Sequence, residues 1–253
     1  MKNLTFFDAD CRIGSGPKIG IKPGAAALLA DMDYYGIEKA LVYHGNISML
    51  GALKTNEDLA EMLKAEDPAG RLCGVWCILP QQCHELPEPE VFFSEMKKNR
   101  IAALTLSPFE HRYVPCRMTL GKIMDAAAER RIPILLQAFS GKWQELYNFL
   151  SEFPRNVYIL ISMPGKWGID RQIRPLLENF PSLSYSIAGY WVPGGLGDLA
   201  AAYGAERILY GSGFPNYNQG CSMLQLKQSG LSSGEIAQIA GGNLEKMLKG
   251  VQL

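Results

Sequence analysis

The sequence contains few histidines, has no net charge and lacks a long hydrophobic run, and each absence excludes a class of function. Three histidines in 253 residues leave little material for a site built from imidazole groups. The 25 basic residues are balanced by 25 acidic residues, so the positive field typical of nucleic-acid binding is missing. No stretch approaches the ~20 apolar residues that span a bilayer, and the first residues lack a signal-peptide pattern. We expect a cytoplasmic protein that binds neither membranes nor nucleic acids.

Cysteine is also scarce, with six residues in the whole chain. This number is too small for a disulfide scaffold, so we expect free thiols. Four of the cysteines fall in or near predicted loops at one end of the fold and leave a thiolate zinc site as an alternative. They contain no Cys-x-x-Cys pair to support it, and they are Cys11, Cys83, Cys116 and Cys221.

Short apolar runs alternate with segments of helical period along the chain, which is the pattern of repeated βα units around a parallel sheet. Strands are predicted at 4–10, 39–44, 72–79, 102–106, 132–137, 157–162, 183–188 and 207–211. Helices are predicted at 23–35, 56–65, 88–99, 119–130, 142–153, 170–179 and 196–203, followed by a C-terminal set. Because 253 residues is the usual size of a (β/α)8 barrel, we predict a single α/β domain over residues 1–253, a TIM barrel.

Two segments at opposite ends of the chain carry the motifs of a known family. The first reads Phe6-Phe7-Asp8-Ala9-Asp10-Cys11-Arg12-Ile13-Gly14, and the second reads Gly211-Ser212-Gly213-Phe214-Pro215. Together they resemble the amidohydrolase superfamily, specifically the amidohydrolase-related branch of hydrolases, lactonases and decarboxylases of the aminocarboxymuconate-semialdehyde decarboxylase type. The family patterns are Asp-x-His-x-His-x-Gly and Gly-Ser-Asp-x-Pro. Segments 56–60, 126–134 and 239–248 resemble further parts of the family in the same order, and the resemblance implies an amidohydrolase-type barrel.

The resemblance also implies where a divalent metal ion would bind, and each of those positions holds a different residue here. The substituted positions are Asp10 and Arg12 for two histidines, Gln137 for a histidine after strand 5, Ser162 or Met163 for a histidine after strand 6, and Gly213 for the aspartate. A bound divalent ion lowers the pKa of water from about 15.7 to about 7, and the aspartate accepts a proton from that water. Glycine cannot accept a proton, and a fixed arginine charge opposes cation binding. We therefore expect no bound metal and no other cofactor.

Three residues at the ends of the first two strands are the candidates for chemistry. Asp10 and Arg12 are two residues apart on one strand, so their side chains share a face at the predicted pocket mouth. Arg12 is expected to bind a carboxylate or phosphate while Asp10 transfers a proton; alternatively, the two form an ion pair that occupies the place of the metal. His44 ends strand 2 and is the best second acid or base, although a lone histidine is more often structural.

Residues after the later strands are predicted to bind the substrate. The polar candidates are Gln137, Ser162, Ser212 and Asn216, and the aromatic candidates are Trp167 and Trp191, with Phe139, Trp143, Tyr190 and Phe214 beside them. Aromatic walls with a few polar groups suit a small planar ligand. The same aromatic side chains also suit lid packing or a subunit interface.

The favoured hypothesis is a divergent, metal-independent hydrolase, lactonase or decarboxylase that acts on a small carboxylate-bearing molecule. The alternative is a non-catalytic member of the family that binds a small molecule or a partner. A third hypothesis is an ordinary metal-dependent hydrolase with atypical ligands. The first two predict a small, anionic ligand, and a homo-oligomer is compatible with each.

Overall fold

A computed structural model describes residues 4–14, 23–137, 139, 141–161 and 169–253. Eight parallel strands form one sheet in sequence order, namely β1 (Phe6–Ile13), β2 (Ile37–His44), β3 (Leu72–Cys77), β4 (Ile101–Thr105), β5 (Ile134–Leu136), β6 (Tyr158–Leu160), β7 (Leu183–Ser186) and β8 (Ile208–Leu209). Backbone hydrogen bonds join the last strand to the first, from Ala9 N to Tyr210 O and from Gly213 N to Asp10 O, both at 2.9 Å. The predicted (β/α)8 barrel is confirmed.

Helices cover the outside of this barrel. They are α1 (Ala25–Tyr35), α2 (Ile47–Leu50), α3 (Ala52–Glu66), α4 (Pro89–Lys98), α5 (Arg117–Glu129), α6 (Trp143–Glu152), α7 (Asp170–Asn179), α8 (Gly195–Tyr203), α9 (Gln219–Lys227), α10 (Ser233–Ala237) and α11 (Asn243–Lys249), with 3-10 turns at Gln81–Cys83 and Ala205–Arg207 and a π-helical turn at Gln238–Gly242. Within the described ranges, no helix has the length and apolar character needed to cross a membrane. All six cysteines fall in these ranges, and none forms a disulfide.

The observed strands differ from the predicted ones mainly at their ends. β1 was expected to stop at Asp10, where the apolar run ends, but Arg12 and Ile13 still pair with β2. Polar side chains are tolerated there because the carboxyl ends of barrel strands open into the mouth of the barrel. The strands β5 and β6 are shorter than expected, with three residues each. All of these residues are buried, because helices cover one face of each strand and the barrel interior covers the other.

A β-bulge in β1 determines which side chains face the barrel interior. Asp8 and Cys11 are three residues apart, yet their partners on β2 are only two residues apart. Side chains alternate along a regular strand, and the extra residue of a bulge shifts that alternation. Asp8 and Cys11 therefore face outward, where both lie within reach of the Gln219 amide at the start of α9. Asp10 lies beyond the shift and faces the interior, where it contacts Tyr43.

The start of α3 was predicted incorrectly. The helix was expected to begin at residue 56, but α3 begins at Ala52 and the Thr55 hydroxyl donates to Gly51 O at 2.7 Å. The next residue, Asn56, is buried and bonds the end of β3, with Nδ2 donating to Cys77 O at 2.9 Å and Oδ1 accepting from Cys77 N at 2.7 Å. These polar residues thus connect a helix to the barrel wall. At the start of α10, Ser232 and Glu235 form a reciprocal capping box.

Replacing Asn56 by alanine is expected to destabilise the fold by about 2–5 kcal/mol, because it leaves two buried backbone groups of Cys77 without partners. Chemical denaturation of the purified variant measures this free energy of unfolding. The matched control is Asn148→Ala on the exposed side of α6, which we expect to change the free energy by no more than about 0.5 kcal/mol. Equal losses in the two variants would show that the Asn56 side chain does not hold β3.

Candidate functional site

The inner faces of β1 and β2 bring a carboxyl group and a phenol together. Tyr43 Oη donates to Asp10 Oδ1 at 3.2 Å, and the two residues are 8% and 4% exposed, respectively. Tyr43 reaches the interior because it is the register partner of Arg12, and paired residues of parallel strands share a face. Tyr43 was not among the residues predicted from the sequence, although the alternation of side chains along β2 could have identified it.

The environment of Asp10 makes it a group that can exchange a proton at neutral pH. Burial raises the pKa of Asp10 to about 7, and the negative charge of Asp8 adds to this rise. The Tyr43 hydrogen bond and the Arg12 charge act in the opposite direction. A carboxyl group with a pKa near the working pH is present in both forms and can act as acid or base. Burial also raises the pKa of Tyr43, so the phenol remains a hydrogen-bond donor.

Arg12 lies on the same face as Asp10 but does not form the ion pair that was considered as an alternative. Its Nη2 donates to Asn216 Oδ1 at 2.8 Å, and no ion pair between described residues includes Arg12. Asn216 is neutral and exposed. The partner thus orients the guanidinium group without cancelling its charge, which remains available to bind an anion.

Two further strands contribute polar groups to the interior. At the end of β5, Gln137 Nε2 donates to Thr105 Oγ1 at the end of β4, at 3.3 Å. A Cβ added to Gly211 would lie 2.0 Å from Ser186 Oγ and 3.1 Å from Asp10 Cβ. Ser186, which was not predicted from the sequence, therefore lies beside Asp10, and Gly211 allows this close approach because it has no side chain.

Ser212 does not face the site. It is fully buried, and its Oγ accepts a hydrogen bond from Phe214 N at 3.1 Å. The Sγ atom of Cys11, on the outer face of β1, lies 3.7 Å from the same Oγ. Its backbone N donates to Asp8 Oδ1 at 2.9 Å. This burial leaves Ser212 no surface for the substrate contact predicted from the sequence, and its bonds hold the end of β8 against β1.

His44 is not brought to Asp10. Its neighbour Tyr43 faces the interior, so His44 faces the opposite side of β2. There its Nδ1 accepts a hydrogen bond from Asn46 N at 3.1 Å, and its Nε2 lies 2.6 Å from where a Cβ of Gly14 would be. Burial lowers the pKa of His44, which favours a neutral imidazole at pH 7. The geometry fits the structural role of a lone histidine better than proton transfer together with Asp10.

The aromatic candidates are dispersed. Trp191 is 49% exposed and packs edge-on against Tyr217, with ring centroids 6.2 Å apart, whereas Phe139 and Tyr190 are completely buried. Trp143 and Phe214 are partly buried against the core, so Trp191 is the exposed member of the described aromatic candidates. Ser162 and Trp167, both predicted to bind substrate, lie outside the described residues.

The donors present do not fit the divalent ion that the family resemblance implies. No group of three or more His, Cys, Asp or Glu side chains in the described ranges is arranged to hold a metal ion. Gly213, at the position of the family aspartate, has a φ of 74°, and a Cβ there would lie 2.7 Å from Tyr217 Cδ2. An aspartate at this position would require a left-handed backbone and displacement of Tyr217. Asp10 alone offers a carboxylate oxygen, beside the positive charge of Arg12.

Asp10 is expected to make the folded state less stable as the pH rises. A carboxyl group whose pKa is 3.8 ordinarily and about 7 in the folded protein stabilises the fold most below pH 3.8, and this contribution is lost as the pH rises through 7. The difference corresponds to about 4 kcal/mol at most. We expect the Tm of the wild type to fall between pH 5 and pH 8.5 more steeply than that of Asp10→Asn. Parallel pH curves would contradict the assignment, and the exposed Glu85→Gln variant serves as a control.

Restoring the family aspartate by Gly213→Asp is expected to destabilise the protein without creating a metal site. Gly230 provides a matched control because its φ of 78° is similar but a Cβ there meets no atom within 4 Å. Both variants pay the cost of a left-handed non-glycine residue, about 1 kcal/mol or more, and only Gly213→Asp displaces Tyr217. A lower Tm for Gly213→Asp than for Gly230→Asp is expected in thermal unfolding. A Tm of Gly213→Asp that rises on addition of manganese would contradict this reasoning.

Comparison with known proteins agrees with the geometry at the level of fold and family. No curated protein sequence matches the chain. Among solved structures, an uncharacterized TIM-barrel protein from Bordetella bronchiseptica is 19% identical, with a TM-score of 0.71 over 98% of this chain and 99% of that one. A dihydroxybenzoic acid decarboxylase from Polaromonas, with bound manganese and the inhibitor 2-nitroresorcinol, is 15% identical, with a TM-score of 0.71 over 98% and 97%.

A third structure, a provisionally assigned 2-pyrone-4,6-dicarboxylic acid hydrolase from Pseudomonas putida, is 14% identical, with a TM-score of 0.72 over 99% of this chain and 100% of that one. At such identities these similarities establish the fold alone. The family follows from the sequence itself, because the amidohydrolase family model matches residues 28–250. The chain belongs to the amidohydrolase family.

Proposed function

We propose that this protein is an enzyme that acts on a small carboxylate-bearing molecule without a bound metal ion, as a hydrolase, lactonase or decarboxylase. The observation that carries this proposal is the Asp10–Tyr43 pair on the same face as Arg12, whose charge is not neutralised by a carboxylate of the described chain. A proton-transfer group and an anion-binding group thus share the barrel mouth, where the catalytic residues of TIM-barrel enzymes lie. The similar structures named as a decarboxylase and a hydrolase support the same substrate class.

Arg12 is the proposed anchor for the substrate carboxylate. The guanidinium group presents several N–H donors in a planar fork that matches two carboxylate oxygens, and the hydrogen bond to Asn216 limits its rotation. Gln137, which follows β5, adds a side-chain amide that is held by Thr105 at the end of β4. Together these groups would orient a small acid across the mouth, with its reactive carbon near Asp10.

Asp10 is the proposed proton-transfer group. In an ester or lactone hydrolysis, ionised Asp10 takes a proton from water as the water oxygen attacks the carbonyl carbon. The bond from the carbonyl carbon to the alcohol oxygen then breaks, and Asp10 gives the proton to that leaving oxygen. In a decarboxylation, the electrons of the broken carbon–carbon bond stay on carbon, carbon dioxide leaves, and protonated Asp10 gives its proton to that carbon. A pKa of about 7 for Asp10 makes both forms available at neutral pH, and Tyr43 holds the carboxyl group in place in either case.

No step of this mechanism passes through a metal ion. The Polaromonas decarboxylase carries manganese, but the donors described here do not fit a divalent ion, because no set of three acidic, histidine or cysteine side chains in the described ranges converges. The positive charge that a metal would supply is provided in part by Arg12, which acts on an anion rather than on water.

The test is turnover by the chelator-treated protein on aromatic carboxylic acids and carboxylated lactones, measured as carbon dioxide release and as ring opening. We expect turnover to be unchanged by chelation and kcat to fall about 10²–10⁴-fold in Asp10→Asn. His44→Gln is the control and is expected to retain most of the activity. Saturable binding of an acid with no turnover in the wild type would favour the non-catalytic alternative, and activity that requires added metal would contradict the proposal.

Arg12→Lys separates substrate binding from chemistry. Lysine keeps the charge but loses the planar fork, so we expect kcat/KM to fall about tenfold or more, mainly through KM, which corresponds to about 1.4 kcal/mol. Steady-state kinetics on the best substrate of the panel measure this change. An unchanged KM would show that the carboxylate is held elsewhere.

A further inference from the structure

The carboxyl group of Asp8 has no role in the proposed mechanism, although it is joined to Asp10 by a backbone hydrogen bond. Asp8 is fully buried on the outer face of β1. Its Oδ1 accepts hydrogen bonds from Asp10 N at 3.1 Å and from Ser212 N at 2.9 Å, and its Oδ2 accepts one from Gln219 Nε2 at 3.3 Å. One carboxyl group therefore connects β1, the end of β8 and the first residue of α9.

The two carboxyl groups differ in the partners that surround them. Asp8 accepts hydrogen bonds from three N–H groups, and hydrogen bonds with the Ser212 side chain and the Cys11 thiol lower its pKa as well, so its partners stabilise an ionised carboxylate. Asp10 has one donor among the described residues, the Tyr43 hydroxyl. Burial raises the pKa of both carboxyl groups, and two neighbouring carboxylates cannot both ionise cheaply. The donor set therefore favours the negative charge on Asp8 and the proton on Asp10.

The other titratable groups around the pair do not reverse this distribution. On the outer face, burial raises the pKa of the Cys11 thiol and of the Tyr210 phenol, so both stay neutral. On the inner face, Tyr43 is neutral for the same reason. Among the described residues, Arg12 is the cation that lowers the pKa of Asp10, and burial and the Asp8 charge raise that pKa by more.

We propose that Asp8 is a positioning residue that carries the negative charge of the carboxylate pair, fixes the backbone of Asp10 and keeps the proton on Asp10. This inference rests on the proposed function, because it assigns Asp10 the role of proton donor in the resting site. It also narrows that function. If Asp10 is protonated in the substrate-free site, its first step is to give a proton to a carbon or a leaving oxygen, and it can remove a proton from water only afterwards.

The test is the titration of the Asp10 carboxyl carbon by NMR in the substrate-free protein, compared between the wild type and Asp8→Asn. The new amide retains an oxygen that can accept from Asp10 N and Ser212 N but removes the charge. The Gln219 amide oxygen, which has no partner in the described chain, can turn to accept from the new amide. We expect the Asp10 titration to move to lower pH, because the neighbouring negative charge is gone.

Asp31→Asn on α1 is the matched control and is expected to leave the Asp10 titration unchanged. If Asp8→Asn does not fold, Gln219→Met provides a second test, because loss of one N–H donor disfavours the charge on Asp8 and also moves the Asp10 titration to lower pH. An Asp10 titration that stays in place or moves upward in the folded variants would overturn the proposal. Because this measurement needs no substrate, a protein without turnover would disprove the proposed function while leaving the charge distribution testable.

Discussion

The β-bulge in β1 is the constraint on which the arrangement of the site depends. Without it, side chains two residues apart would share a face, and Asp8 would enter the barrel interior together with Asp10. With it, Asp8 bonds the outer layer at Gln219 while Asp10 contacts Tyr43 inside. The barrel wall thus separates two acidic groups that are nearly adjacent in sequence, and each meets a different set of partners.

The protein shares the barrel of the amidohydrolase family, but different residues stand at the positions of the family's metal ligands. The strand order, the closure between β8 and β1 and the position of the polar residues at the strand ends are those of an amidohydrolase-type barrel. At the metal positions the physical properties change together, since Arg12 adds a positive charge and Gly213 adopts a backbone that Tyr217 packs against. These two differences underlie the proposal that the site binds an anion.

The sequence was sufficient to predict the barrel because periodicity and length act over the whole chain, and local errors at strand ends do not change the topology. The sequence was less sufficient to predict which side chains form the candidate site. His44 was selected because it is a titratable residue at the end of strand 2, but Arg12 pairs with Tyr43, so Tyr43 rather than His44 shares the inner face with Arg12. Asp8 was not selected because the bulge cannot be detected from the order of apolar and polar residues in β1. Ser212 was selected although it is buried, because its burial depends on contacts with Cys11 and Asp8, which are distant in sequence.

The hydrogen bond from Arg12 to the neutral Asn216 leaves the guanidinium charge in place, and this charge has a consequence for the affinity of a ligand. An anion bound at Arg12 offsets the charge that lowers the pKa of Asp10, so occupancy of the site increases the affinity of Asp10 for its proton. By thermodynamic reciprocity, the protonated site then holds the anion more tightly than the ionised site. On the proposed function, ligand binding and proton uptake would thereby be coupled across one side of the barrel mouth, and a carboxylate ligand would leave more readily once Asp10 has given up its proton.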